Sequence, residues 1–141
     1  MSHMLQFARV IFLVVISLLM VACSQTPDES DARKVLQAEL QSAHLGELLK
    51  INRVEKLNGY QESDGRYTIE VSYQLKTTSS FSDYEDQVKG DEALSVMDRF
   101  AMVMALSALR VEYGNFAKGD TFDEQRVLTF RDSEQGWMPV E

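Results

Sequence analysis

Residues 66–76 have the sequence RYTIEVSYQLK, in which apolar and polar side chains alternate without a break. Successive side chains of a strand point to opposite faces, so this pattern predicts a β-strand with one buried face and one wet face. Asp64-Gly65 precedes it and is typical of a hairpin turn. We therefore expect an antiparallel partner strand over residues 51–60, with Gly59 marking a bulge. The side chains expected in the core are Tyr67, Ile69, Val71, Tyr73 and Leu75.

The last part of the chain predicts a second hairpin. A turn at 118–120 precedes a strand whose apolar residues fall on even positions, and a second turn at 132–136 leads into a short strand over 137–140. Pro139 has no amide hydrogen, so this last strand is expected at an edge of the sheet. Trp137, the only tryptophan, is expected to pack under the helices.

A first helix is predicted to start at Thr26. Thr26, Pro27 and Glu29 fit a capping box with proline at the first helical position, and Gly46 would end the helix. One apolar face recurs every three to four residues. Its members are Ala32, Val35, Leu36, Leu40 and Ala43.

A second helix is predicted over residues 91–113, capped by Asp91 and closed by Gly114. One stripe comprises Ala93, Met97, Phe100, Met104 and Ala108. Residues 100–109 are apolar almost all round, which predicts burial on more than one side. Core filling is the favoured interpretation of the stripe, and the alternative is that Met97, Met102 and Met104 line an adaptable binding groove.

The expected order is α-β-β-α-β-β, which predicts an α+β domain: an antiparallel sheet of about four strands with two helices packed on one face. This order resembles a permuted ferredoxin-like sandwich. A long helix on a curved sheet is also similar to the cystatin-like and nuclear-transport-factor-like folds. Neither resemblance rests on a residue motif, so neither implies functional residues.

Residues 77–90 have no clear period and are predicted to form a long loop, which is often functional in a compact domain. A calcium loop would need glycine at its sixth and glutamate at its twelfth position. Counted from Asp83, these positions hold Val88 and Leu94, so no metal site is predicted. We expect a partner-binding segment here, or burial of its two aromatic residues. Its candidate residues are Phe81, Asp83, Tyr84, Glu85 and Asp86.

The charge of the chain argues against nucleic acid as a partner. The 141 residues carry 22 acidic against 14 basic side chains, for a net charge of −8. Binding to a polyanion needs clustered cations, and the sequence has no such cluster. The composition, 45% hydrophobic and 26% charged, is that of a globular domain.

The amino terminus has the marks of a secretory signal peptide. Residues 10–22 (VIFLVVISLLMVA) carry no charge, follow Arg9 and end in the small Ala22. As a helix they would extend about 20 Å, short of the ~30 Å of a bilayer core. A signal peptide over residues 1–22 therefore explains this run better than a membrane-spanning helix.

Met20-Val21-Ala22-Cys23 resembles the lipobox of bacterial lipoprotein precursors, with methionine where leucine is usual. The resemblance implies cleavage between Ala22 and Cys23 and acylation of Cys23, the only cysteine. The alternative is a buried cysteine behind an uncleaved anchor. The expected organisation is a signal peptide (1–22), a lipidated cysteine with a short tether (23–27), and a single globular domain (28–141). Ser24 in place of aspartate implies the outer membrane, with the domain facing the periplasm.

No catalytic motif stands out in the sequence. His44 is the only histidine after the predicted cleavage and lies near the end of the first helix, where capping or exposure is expected. No nucleophile, metal or phosphate-binding pattern occurs. We expect a protein that is not an enzyme, has no cofactor, and binds another envelope protein as an accessory or assembly factor. The alternatives are an inhibitor or immunity protein against a hydrolase, with charge-steered association, and a small-ligand-binding lipoprotein.

Overall fold

A computed structural model describes residues 26–140, which form an α+β fold around a four-stranded antiparallel sheet. The strand order is β1-β2-β3-β4. The predicted signal peptide, cleavage site and lipidation site lie outside the described residues. The strands are β1 (Leu49–Gln61), β2 (Tyr67–Thr77), β3 (Thr121–Ser133) and β4 (Gly136–Pro139).

The alternating stretch forms the strand β2, as the sequence predicts, and β2 lies inside the sheet between β1 and β3. Ile69 and Val71 are fully buried and Leu75 nearly so, while Glu70 and Lys76 on the opposite face are exposed. β2 pairs with β1 on one side and β3 on the other, so its backbone groups are used on both edges. This strand is the centre of the fold.

The bulges in β1 are not where the sequence predicts. The register against β2 shifts at Asn52 and at Leu57, whereas Gly59 pairs in register with Ile69. A Cβ atom at Gly59 would lie 3.0 Å from the Tyr67 ring. Gly59 therefore permits close cross-strand packing and does not mark a bulge.

Within residues 26–140, three helices rather than two accompany the sheet, and the order is α-β-β-α-α-β-β. They are α1 (Glu29–Ser42), α2 (Phe81–Gly90) and α3 (Val96–Tyr113). α2 occupies the segment that the sequence predicts to be a loop. α3 starts at Val96 rather than near residue 91, because Ser95 caps it by accepting a hydrogen bond from the Asp98 amide. Gly114 closes it at φ 69°, as predicted.

The ends of α1 differ from the prediction. Asp28, not Thr26, is the N-cap, and it forms a capping box with Asp31. Pro27 is fully buried, and its carbonyl accepts a hydrogen bond from Lys56 at 2.7 Å, so the folded domain already begins at Pro27. At the other end His44, in place of the predicted Gly46, adopts the left-handed conformation (φ 58°) that closes the helix.

The core lies on one face of the sheet and has two parts. The larger one joins α1, α2 and α3 to β1 and β2; its buried members include Leu36, Leu49, Leu75, Val88 and Leu109. The smaller one packs Ala32 of α1 against β2 and β3, and its strand members are Ile69, Val71, Leu128 and Phe130. Half-buried Trp137 packs beside the smaller cluster, with its ring 5.9 Å from that of Tyr67.

Candidate functional site

The predicted acidic-aromatic loop is the helix α2. Ser80 caps it by accepting a hydrogen bond from the Asp83 amide at 3.2 Å. Phe81, Tyr84 and Val88 are spaced three and four residues apart, so they share the face that packs into the core. The loop prediction is wrong. The three apolar residues have helical spacing, but the segment is too short and too polar for this period to be recognised in the sequence.

The five residues predicted to bind a partner are divided between two faces of α2. Phe81 is 4% exposed and Tyr84 3% exposed, so both aromatic rings belong to the core. Asp83 and Asp86 lie on the surface. Glu85 pairs with Lys89 at 2.9 Å, and this hydrogen bond lowers the pKa of the Glu85 carboxyl. The surface of α2 is therefore polar, and its aromatic residues are not available to a partner.

The exposed apolar surface lies on α3, where the sequence predicts core. Leu106 and Leu109 face inwards and are buried. The opposite side, which we call the outer face of α3, is formed by Val96 (82% exposed), Met97 (75%), Phe100 (62%), Met104 (55%) and Val111 (89%). The prediction that the stripe through Met97, Phe100 and Met104 fills the core is wrong.

The outer face of α3 carries no charged side chain. At 100° of rotation per residue, Asp98, Arg110 and Glu112 fall to its sides. A helix that is apolar all round is expected to be covered all round, and the described residues cover only one side of α3. The expected fold could have indicated that one side stays uncovered, because a helix alongside about four strands in a small domain has too few neighbours to be buried on every side.

A second candidate site is a cavity of about 440 Å³ between the end of α1 and the pair α2 and α3. Its lining mixes polar and apolar groups and includes Gln41, His44, Glu47, Tyr84, Val88 and Met102. Met102, one of the three methionines considered for a groove, is half-buried here, whereas the other two belong to the outer face of α3. This volume is in the range of small-molecule sites.

Tyr84 is the most unusual group lining this cavity. Its Oη atom is buried and has no hydrogen-bond partner among the described residues. Burial raises the pKa of the Tyr84 phenol, and the nearby Glu47 carboxylate raises it further. His44 and Glu47 line the same cavity, but no hydrogen bond joins their side chains, so the geometry defines no acid-base pair.

Within residues 26–140, no three His, Cys, Asp or Glu side chains converge as metal ligands. Over the same range, no helix is both long enough and apolar enough to cross a bilayer. Comparisons with family models, with curated proteins and with solved structures found no match for the chain.

Proposed function

We propose that the protein is a lipid-anchored component of the bacterial envelope whose domain binds another envelope protein through the outer face of α3. The observation that supports this most strongly is the exposure of Met97, Phe100 and Met104 on one uncharged helix face. Together with Val96 and Val111 they expose an apolar area on the order of several hundred Å², a size typical of interaction sites.

The composition of this face suits protein recognition. Phenylalanine and methionine are enriched at the centres of protein interfaces, where charged residues are depleted. Methionine side chains are flexible and adapt to the partner's shape. Burying this face would remove apolar area from water, which stabilises a complex by ~25 cal/mol per Å². Phe100 is the expected anchor of the interface because it is the only aromatic residue on the outer face of α3.

The proposed anchor would keep the domain near the membrane. Cys23, as the acylated residue, is four residues before the buried Pro27. A fully extended chain of that length spans at most about 14 Å. The domain would thus stay close to the bilayer, on our proposal the outer membrane with the domain facing the periplasm, and an accessory or assembly role for a resident complex follows from this position.

The anchor is tested by intact-mass measurement of the protein extracted from membranes. Loss of residues 1–22 together with added acyl mass is expected. A Cys23→Ser variant should lose both changes and leave the membrane fraction. A wild-type protein that keeps residues 1–22 and carries no acyl mass would contradict the proposal.

The interface is tested with a photo-crosslinking amino acid at Met104 in the full chain, followed by identification of the adduct. Binding to the purified adduct partner is then measured. Phe100→Glu should weaken that binding by at least about tenfold, which is about 1.4 kcal/mol. Tyr60→Glu is the matched control, because Tyr60 is a similarly exposed aromatic residue (56%) on β1. Equal losses in both variants, or an adduct that is not an envelope protein, would refute the proposed interface.

The cavity supports a second candidate function, binding of a small molecule. Its polar groups, and the Tyr84 hydroxyl that has no partner in the described part of the chain, are the kind of lining that fixes the orientation of a ligand. A screen of small metabolites by thermal shift would test this function. A ligand of the cavity should lose its effect in a Glu47→Gln variant and keep it in Phe100→Glu.

A further inference from the structure

The two edges of the sheet are protected differently. β1, at one edge, has bulges at Asn52 and Leu57 that interrupt its regular backbone pattern. Helix α1 also covers it: Arg33 donates to the Ile51 carbonyl at 2.8 Å, and Glu29 accepts from the Lys56 amide at 3.2 Å. Bulges and covering groups are the usual means by which proteins prevent pairing at an edge.

The opposite edge is only partly covered. β4 pairs with β3 from Phe130 to Ser133, and the Val140 amide adds one bond to the Thr129 carbonyl at 2.8 Å. Pro139 protects the outer side of β4, as the sequence predicts. The rest of β3, residues 121–128, has β2 on one side and no strand on the other among the described residues.

The direction of the free backbone groups follows from the Thr129 bond. The Thr129 carbonyl points to β4 and therefore away from β2. β3 is in unbroken register with β2 over residues 121–130. Every second residue of β3 therefore directs its amide and carbonyl groups away from β2. The residues whose amide and carbonyl groups both point outward and lack a partner strand are Thr121, Asp123, Gln125 and Val127.

We infer that this edge pairs with the same edge of a second copy of the chain, antiparallel and centred on Gln125. Such a pairing is isologous, so each contact occurs twice. Asp123 faces Val127 of the second copy, and Phe122 faces Leu128. Glu124 faces Arg126, and opposite charges directly across a strand pair are stabilising.

Charge selects this register over its neighbour. In a register shifted by two residues, the centre of the pairing would be Glu124. The Glu124 carboxylates of the two copies would then face each other, which is destabilising. Glu124 already accepts a hydrogen bond from Tyr113 at 2.7 Å, and Arg126 pairs with Glu39. A carboxylate and a guanidinium each have further hydrogen-bonding capacity, so both can also engage the second copy.

This surface shares no residue with the outer face of α3. A dimer formed at β3 therefore does not use the residues that we propose for the envelope partner.

Cysteine crosslinking in membranes that contain the full chain tests both the edge and the register. Gln125→Cys places two thiols opposite each other, with Cα atoms about 5.5 Å apart, within disulfide reach. We expect a disulfide-linked dimer on a non-reducing gel after mild oxidation. Asp123→Cys is the matched control: the two copies of residue 123 would be about 14 Å apart along the strands and should not crosslink.

A second variant keeps the test decisive if Gln125→Cys disturbs folding. Asp123→Cys with Val127→Cys pairs two different positions and should restore the dimer that Asp123→Cys alone does not give. Wild type, with Cys23 alone, should give none. Absence of dimer from both Gln125→Cys and the double variant would overturn the inference, as would equal crosslinking by Asp123→Cys. A disulfide from Gln125→Cys to a different protein would overturn it in favour of a foreign strand.

Discussion

Replacing Tyr84 with phenylalanine should stabilise the protein, although Tyr84 is one of its most buried residues (3% exposed). The ring packs in the core beside Val88, and phenylalanine keeps that packing. The hydroxyl is buried, and no group within residues 26–140 forms a hydrogen bond with it. Leaving such a group unsatisfied costs about 1–3 kcal/mol. We therefore expect the substitution to raise the free energy of unfolding by about 1 kcal/mol.

Tyr113→Phe is the matched control, because it removes the same atom from a different environment. The Tyr113 hydroxyl donates a 2.7 Å hydrogen bond to the Glu124 carboxylate. Hydrogen bonds to charged groups contribute about 1.5–3 kcal/mol, and this one is only part-buried, so a loss of about 1.5 kcal/mol is expected. The two tyrosine-to-phenylalanine changes should thus shift stability in opposite directions.

Thermal unfolding followed by circular dichroism measures both effects. For a domain of this size, about 1 kcal/mol shifts Tm by about 4 °C, so Tyr84→Phe should melt above wild type and Tyr113→Phe below it. A Tm for Tyr84→Phe below that of wild type would refute the reasoning. It would mean that the hydroxyl has a partner, such as a water molecule or a ligand of the adjoining cavity.

Two further predictions concern the core and the response to pH. Phe130→Ala should lower the free energy of unfolding by about 3–5 kcal/mol, because Phe130 is fully buried. Phe100→Ala should change it little. Urea unfolding measures both variants, and a large loss of stability in Phe100→Ala would show that the outer face of α3 is packed. Burial raises the pKa values of Tyr73, Tyr84 and Tyr113 above their ordinary value of 10.0. These phenols stay neutral in the fold while those of the unfolded chain ionise, so their contribution to stability should be constant below about pH 10 and fall above it. Urea midpoints in alkaline buffers would check this, and a midpoint that rises with pH above about 10 would contradict it.

The strands and their turns were predictable from sequence because they depend on local chemistry. The alternation over residues 66–76 determines which face of β2 is buried whatever its neighbours are. Turn glycines and Pro139 act through their own backbone restrictions. The lipobox-like sequence before Cys23 is also local, and the proposals about anchoring and location rest on sequence alone.

The helices on which the candidate sites lie depended on tertiary structure. α2 places three residues in the core, Phe81, Tyr84 and Val88. Its other residues are as polar as those of a typical loop. Its stability comes from docking against neighbours distant in sequence, since a helix of ten residues is marginal on its own. Periodicity in a short polar segment is too weak to predict this.

The functional surfaces were decided by the packing of distant elements. α3 is apolar on opposite sides, so its sequence fits burial of either Leu106 or Met104. Packing in the larger part of the core, which includes α2, buries Leu106 and leaves Met104 in solvent. Among the described residues, part of the β3 edge lacks a partner strand because β4 is only four residues long and pairs at one end of β3. Sequence determines which residues can be buried or can form strands. Which apolar face stays uncovered, and which edge stays unpaired, depends on how many neighbours the fold supplies.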